Sequence, residues 1–198
     1  SSDLEEKRME ISGLRLVRST KIPPLDQACG TNFKFRHLIE CGETQARLQL
    51  SNIPLNPDTY NALFDLCNLV LDPVIDYFGG INLTYGFSSP ALSAKIDGRI
   101  APKLDQHAGH ECNRLGKPVC DRLGAAVDFS VDDENMLEVA KWIVSNTPFD
   151  RLYFYGADRP LHVSYSASPA SQVTLMRRTA QGNLVPKTLD SVQFLNLK

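Results

Sequence analysis

A carboxylate stands in the middle of a segment whose other residues call for burial. Residues 124–131 read GAAVDFSV, small and apolar on both sides of Asp128, which is the composition of a strand covered by the rest of the protein. A buried carboxylate is costly unless something positive or hydrogen-bonding meets it, and no Lys or Arg adjoins Asp128 in sequence. Such an Asp is commonly met by backbone N–H groups or a distant Arg; a metal ion is the other solution. A second strand poses the same question. His162 lies in PLHVSY (160–165), where successive side chains alternate between the two faces. Of the four histidines, His37, His107, His110 and His162, two more sit together in LDQHAGHE, in a loop ahead of the Asp128 strand. Asp128 with two neutral imidazoles, and a fourth position left to water, is the usual form of a catalytic zinc site. A lone strand histidine is otherwise more often an ordinary core residue.

The rest of the chain predicts helices and strands in alternation. Residues 33–44, FKFRHLIECGET, read as a short helix or turn. The clearest helix follows Asn56, which can cap it, with Pro57 and Asp58 suited to the first turn. Tyr60, Leu63, Phe64, Cys67, Val70, Leu71 and Val74 recur at three- and four-residue spacing, with a kink expected at Pro73 and an end at Gly79-Gly80. INLTYGF (81–87) reads as a strand and SPALSAKI (89–96) as a short helix. Residues 100–123 read as a long loop, the kind that in a compact domain usually carries function. Asp132 or Asp133 is expected to cap a helix over 134–146. DRLYFYG (150–156) and PLHVSY read as strands joined by a turn at 157–160, and SQVTLMRR (171–178) as one more. The arm before residue 33 is expected to be irregular, with one strand around Leu14 to Val17, and the tail after Asn183 to be peripheral.

With 198 residues, 42% hydrophobic, the chain can bury one sizeable core and not two. A net charge of −2 without long single-sign runs gives no nucleic-acid footprint. No apolar stretch approaches the roughly 20 residues needed to span a bilayer. Five cysteines without a CxxC pair exclude a four-cysteine zinc ribbon. Free thiols and a cytoplasmic location are expected, with Cys112–Cys120 the candidate pair in an oxidising compartment. A periplasmic or extracellular location applies if an upstream signal has been removed, since the sequence begins with Ser.

Five short motifs add a resemblance. YGFSSP (85–90), DQH (105–107), GAAVD (124–128), FDRL (149–152) and HVSY (162–165) follow the order of SGYRSP, SQH, GxAxD, FDQL and HVSY. That order resembles the zinc D-Ala-D-Ala carboxypeptidases and L-Ala-D-Glu endopeptidases, which share a fold with the Hedgehog signalling domain. ECGETQAR, NIPLNP and VLDPVIDYFG look like the helical lead-in of phage-type members, so the resemblance runs from about Phe33 to Tyr165. It implies an α+β domain over 33–198, a small antiparallel sheet flanked by helices, behind an arm at 1–32. It implies Zn2+ on His107, Asp128 and His162. The implied activity is hydrolysis of an amide or peptide bond by metal-activated water, with a peptidoglycan stem peptide as substrate by analogy alone.

Three departures bear on that activity. An insertion at about 108–123 lengthens the gap between His107 and Asp128 and adds His110, a competing ligand or a neighbour supporting the site; His107 is preferred because Gln106 matches the family. The family's substrate-gripping Arg is replaced by Ser88, so Arg99, Arg114 or Arg159 would have to take its place. The family's carboxylate near the last histidine is also missing, because Arg159 stands three residues before His162. Asp158 is the candidate base, Asp150 a weaker one, and a turn residue is the plainer fate of Asp158. A zinc-bearing binding module without peptidase activity is the alternative. The oligomeric state is not set by the sequence.

Overall fold

A computed structural model describes residues 18–96 and 101–197. The proposed strand around Leu14 to Val17 lies outside these residues. The helical half begins with α1 (Phe35–Ile39) and α2 (Glu43–Leu48). Helix α3 (Pro57–Leu66) starts as its sequence predicts: Asn56 accepts from the Asp58 N–H, with Pro57 at the first position. It does not simply kink at Pro73. It widens into a π turn over Cys67–Leu71 and resumes as α4 (Asp72–Phe78). Proline has no N–H to give and its ring crowds the carbonyl four residues back, and a wider turn relieves both. Gly79, at φ 87°, ends the helix.

Six strands form one sheet: β1 (Asn82–Tyr85), β2 (Ala125–Ser130), β3 (Arg151–Phe154), β4 (Leu161–Tyr165), β5 (Gln172–Arg178) and β6 (Leu184–Leu189). Their spatial order is β1-β2-β4-β3-β5-β6. The architecture is α+β, as expected. The sheet is not wholly antiparallel, because β3 and β5 run parallel. Short helix α5 (Pro90–Ser93) follows β1, and α6 (Met136–Asn146) joins β2 to β3. The α6 cap is Asn135, not Asp132 or Asp133. Asp132 instead accepts from Asn82 across the sheet edge, and Asp133 takes a left-handed turn conformation.

Register divides the sheet into two faces. Val127, Val163, Leu152, Val173 and Leu189 pair in sequence across five strands. All are buried in the core with residues of α3, α4 and α6. The next row, one residue along each strand, turns its side chains the other way: Tyr85, Asp128, His162 and Tyr153 pair across β1, β2, β4 and β3. This second face carries the candidate site.

The chain ends contribute more than expected. Cys29, in the arm, is fully buried. The tail supplies β6 and then α7 (Ser191–Leu195), whose Phe194 is fully buried. Pro186 masks the strand pattern, and β6 tolerates it because it is an edge strand. No helix among the described residues is long and apolar enough to cross a membrane.

Candidate metal centre

The strand register alone sets Asp128 beside His162. The third member arrives from the loop. A 3-10 turn over Gln106–Ala108, capped by the Asp105 side chain, carries His107 onto the second face of the sheet. His107 Nε2 lies 3.1 Å from His162 Nδ1 and 3.3 Å from Asp128 Oδ1, and His162 Nδ1 lies 2.8 Å from the same oxygen. Among the described residues these three form a group able to hold a metal ion.

The ring orientations are fixed from behind. His107 Nδ1 is 2.8 Å from the Gly86 carbonyl. A carbonyl oxygen only accepts, so Nδ1 donates to it and Nε2 is the ring nitrogen that faces Asp128 and His162. Gly86 is needed there for space: a Cβ would sit 2.0 Å from the Leu38 carbonyl oxygen. The rings of Tyr85 and Tyr153 meet His107 and His162 edge-on, at 4.6 and 5.0 Å.

Electrostatics follow from the burial. Burial alone would raise the Asp128 carboxyl, but His107 and then His162 outweigh it and hold the group well below the usual carboxylate range. Burial also lowers His162, against an opposing pull from Asp128, so a neutral imidazole is favoured. Nearby Cys41 is no thiolate candidate, because burial, with a smaller contribution from Asp128, pushes its thiol up to about 12.

A polar network ties the loop to the sheet. Gln106 donates to Asp150 Oδ2 at 2.8 Å and accepts from Ser164 Oγ at 2.8 Å. Ser164 shares a face with His162, two residues away on β4. Asp150, fully buried, is gripped by the Arg122 guanidinium through both oxygens and accepts from the Ala170 N–H at 2.7 Å. Its hydrogen-bonding capacity is thus engaged by structural partners, which removes it as a candidate base. Nothing in the sequence marks Arg122, Asp150 and Gln106 as a unit. The only visible signal was the Gln beside His107.

The other anticipated residues fall in different places. Ser88 is fully buried; its N–H donates to the His107 carbonyl at 2.9 Å and its hydroxyl lies 2.8 Å from that of Ser93. It thereby holds the loop that carries His107. Arg99 lies outside the described residues. Arg159 lines a cavity of about 270 Å³ together with Asp128, Thr84, Tyr155, Arg178 and Leu184. Arg178, which the sequence did not single out, is a second arginine lining this cavity, and its guanidinium donates to the Gly182 carbonyl at 3.1 Å. Asp158 is exposed in the turn before β4 and is not among the residues lining that cavity.

His110 is not part of the cluster. Its N–H donates to Thr59 Oγ1, and the residue lines a separate cavity of about 310 Å³ with Asp58, Asp65 and Tyr165. The insertion follows the same course, because Glu111, buried beside it, accepts from the Leu55 and Asn56 N–H groups and from Thr59. The loop is thus pinned to the start of α3, and residues 108–123 do not line the mouth at Asp128. The five cysteines are free; Cys112 is exposed while Cys120 is buried.

Comparisons with protein-family models, curated proteins and solved structures return no match.

Proposed function

We propose that His107, Asp128 and His162 hold one zinc ion, and that the domain uses it to hydrolyse an amide or peptide bond, as a divergent relative of the zinc D-Ala-D-Ala peptidases with a Hedgehog-type fold. The observation that carries this reading is the convergence of three ligand atoms at 2.8, 3.1 and 3.3 Å on one point of the sheet. Tetrahedral zinc with N and O bonds of about 2.0–2.1 Å spaces its ligand atoms roughly 3.3 Å apart, so the donor set fits the ion in type and in spacing. The Gly86 carbonyl behind His107 is the outer partner that a metal-binding histidine usually has.

Bound zinc would supply a Lewis acid and acidify a water molecule to a pKa of roughly 7. The chain's own residues do the rest. Asp128 brings the negative charge, and the burial of His107 keeps solvent from the back of the site. Asp128, with 27% of its side chain exposed, leaves one open side. Arg159 and Arg178 flank that opening, where a guanidinium suits a substrate carboxylate or carbonyl. A peptidoglycan stem peptide is the substrate to test first.

One observation favours the second reading, a zinc-bearing binding module. Asp128 is the only carboxylate among the described residues lining the mouth, and it is claimed as a ligand. Asp158 would have to swing in from its turn to accept a proton. Incubating the zinc-loaded protein with stem peptides and reading products by mass spectrometry separates the two. Cleavage that disappears in His162→Ala supports the enzyme. Zinc binding without cleavage supports the module. Cleavage that persists unchanged in Asp158→Asn removes that residue from the chemistry.

A further inference from the structure

The arm and the long helix meet at two sulfur atoms. Cys29 Sγ and Cys67 Sγ lie 3.3 Å apart, both in side chains that are fully buried. Cys29 is in the arm before α1, and Cys67 is the first residue of the π turn. The backbone on either side is clamped. Asn68 Nδ2 donates to the Cys29 carbonyl at 2.8 Å. Asp72 accepts from the N–H groups of Thr31 and Asn32 at 2.7 and 3.2 Å. Between them Gly30 runs so close to the helix that a Cβ would come within 2.9 Å of Cys67 Cβ.

We propose that Cys29 and Cys67 are a disulfide-forming pair, which oxidation by a low-molecular-weight disulfide such as oxidised glutathione converts into a covalent lock between arm and helix. A disulfide needs the sulfurs at about 2.05 Å, an approach of little more than one ångström from where they stand. The clamps on both sides already hold the two backbones in place. The exchange has two steps. One protein thiol loses its proton to solvent, and its thiolate attacks a glutathione sulfur, displacing one glutathione thiolate. The second protein thiol, likewise deprotonated, attacks the protein-bound sulfur of the mixed disulfide and displaces the other glutathione. Two protein thiols are oxidised, one glutathione disulfide is reduced, and the two protons end on two glutathione thiols.

Burial keeps the thiols from reagents in the closed state, so exchange proceeds when the arm opens locally, or during folding. The pairing differs from Cys112–Cys120, which the sequence offered. There the exposed Cys112 bridges Pro118 and the buried Cys120 follows, and the two sulfurs turn to different carbonyls, Cys112 Sγ to His110 and Cys120 Sγ to Arg122.

The test refolds the full chain from denaturant in a glutathione buffer, beside a sample kept reduced. Trypsin separates residues 22–34, which carry Cys29, from residues 48–95, which carry Cys67. The expected result is a loss of two hydrogens in the intact mass, and a non-reduced map that joins those two peptides. A melting temperature higher by roughly 10 °C than that of the reduced sample is also expected, because a long loop is closed. Cys112→Ala should behave as the parent, while Cys29→Ser and Cys67→Ser should each lose the link. Folded protein that keeps both thiols free in the oxidising buffer, or that joins other cysteines instead, overturns the proposal.

Discussion

His107 Nε2 and His162 Nδ1 face each other at 3.1 Å, with Asp128 Oδ1 beside both. One proton on His162 Nδ1 can be shared among these atoms, and a cation at the same point would satisfy all three more fully. Stripping the protein with chelator and returning zinc should therefore raise the melting temperature. At a zinc concentration about a thousandfold above the dissociation constant the gain is roughly 4 kcal/mol, or on the order of 10 °C for a chain of this length. Thermal melts followed by circular dichroism check this, and Asp128→Ala should show no zinc-dependent shift.

Gly86 supports the site through its carbonyl and through the space it leaves. Gly86→Ala drives a Cβ against the Leu38 carbonyl oxygen and the Cys41 sulfur. The backbone must move, and the acceptor for His107 Nδ1 moves with it. A loss of about 3 kcal/mol is expected, with zinc affinity weakened tenfold or more. Urea unfolding and a competitive zinc titration measure the two effects separately.

Asp150 predicts a pH dependence. Burial would raise its carboxyl, but hydrogen bonds from Arg122, Ala170 and Gln106 outweigh that and lower it. The unfolded chain then holds the Asp150 proton to higher pH than the folded one does. The stabilisation is complete above the unfolded value of about 3.9 and is lost as pH falls through the lower folded value. Asp150→Asn should cost about 2–4 kcal/mol at neutral pH, less than for a wholly buried pair because Arg122 is partly exposed. It should also flatten the stability profile in the acid window, as urea unfolding between about pH 2 and about pH 7 would show, limits that lie about two units below and about three units above the unfolded value.

Arg178 and Arg159 are predicted to act on ligand and not on metal. Arg178→Ala and Arg159→Ala should each leave zinc content unchanged and stability within about 0.5 kcal/mol, as exposed substitutions do. Each should weaken binding of a carboxylate-bearing peptide by several-fold, an effect that calorimetry on the zinc-loaded protein would read. An equal loss of zinc in either variant would place that residue in the fold of the site instead.

Much of this arrangement was legible from residue pattern. An ionisable residue in an apolar strand marks a position that needs a partner, and both Asp128 and His162 announced themselves that way. The α3 cap at Asn56 and the places of β1 to β5 followed from local chemistry, whereas β6 in the tail did not. What escaped was set by contacts between distant segments. The Arg122–Asp150–Gln106 network joins residues 44 positions apart, and no local period records it. His107 was distinguished from His110 by a resemblance, whereas the structure separates them physically, through Glu111 pinning the insertion to α3. The parallel pairing of β3 and β5 likewise depends on where the chain returns after Tyr165, which strand composition does not encode.

The central claim is that one metal ion sits on three named side chains. Elemental mass spectrometry of the purified protein, beside His162→Ala, tests it most directly. About one zinc per chain is expected in the parent, as a single three-residue site requires, with loss of that zinc in a variant that remains folded. A parent chain that takes up no zinc even after refolding with added metal, or a His162→Ala chain that retains it in full, would contradict the account.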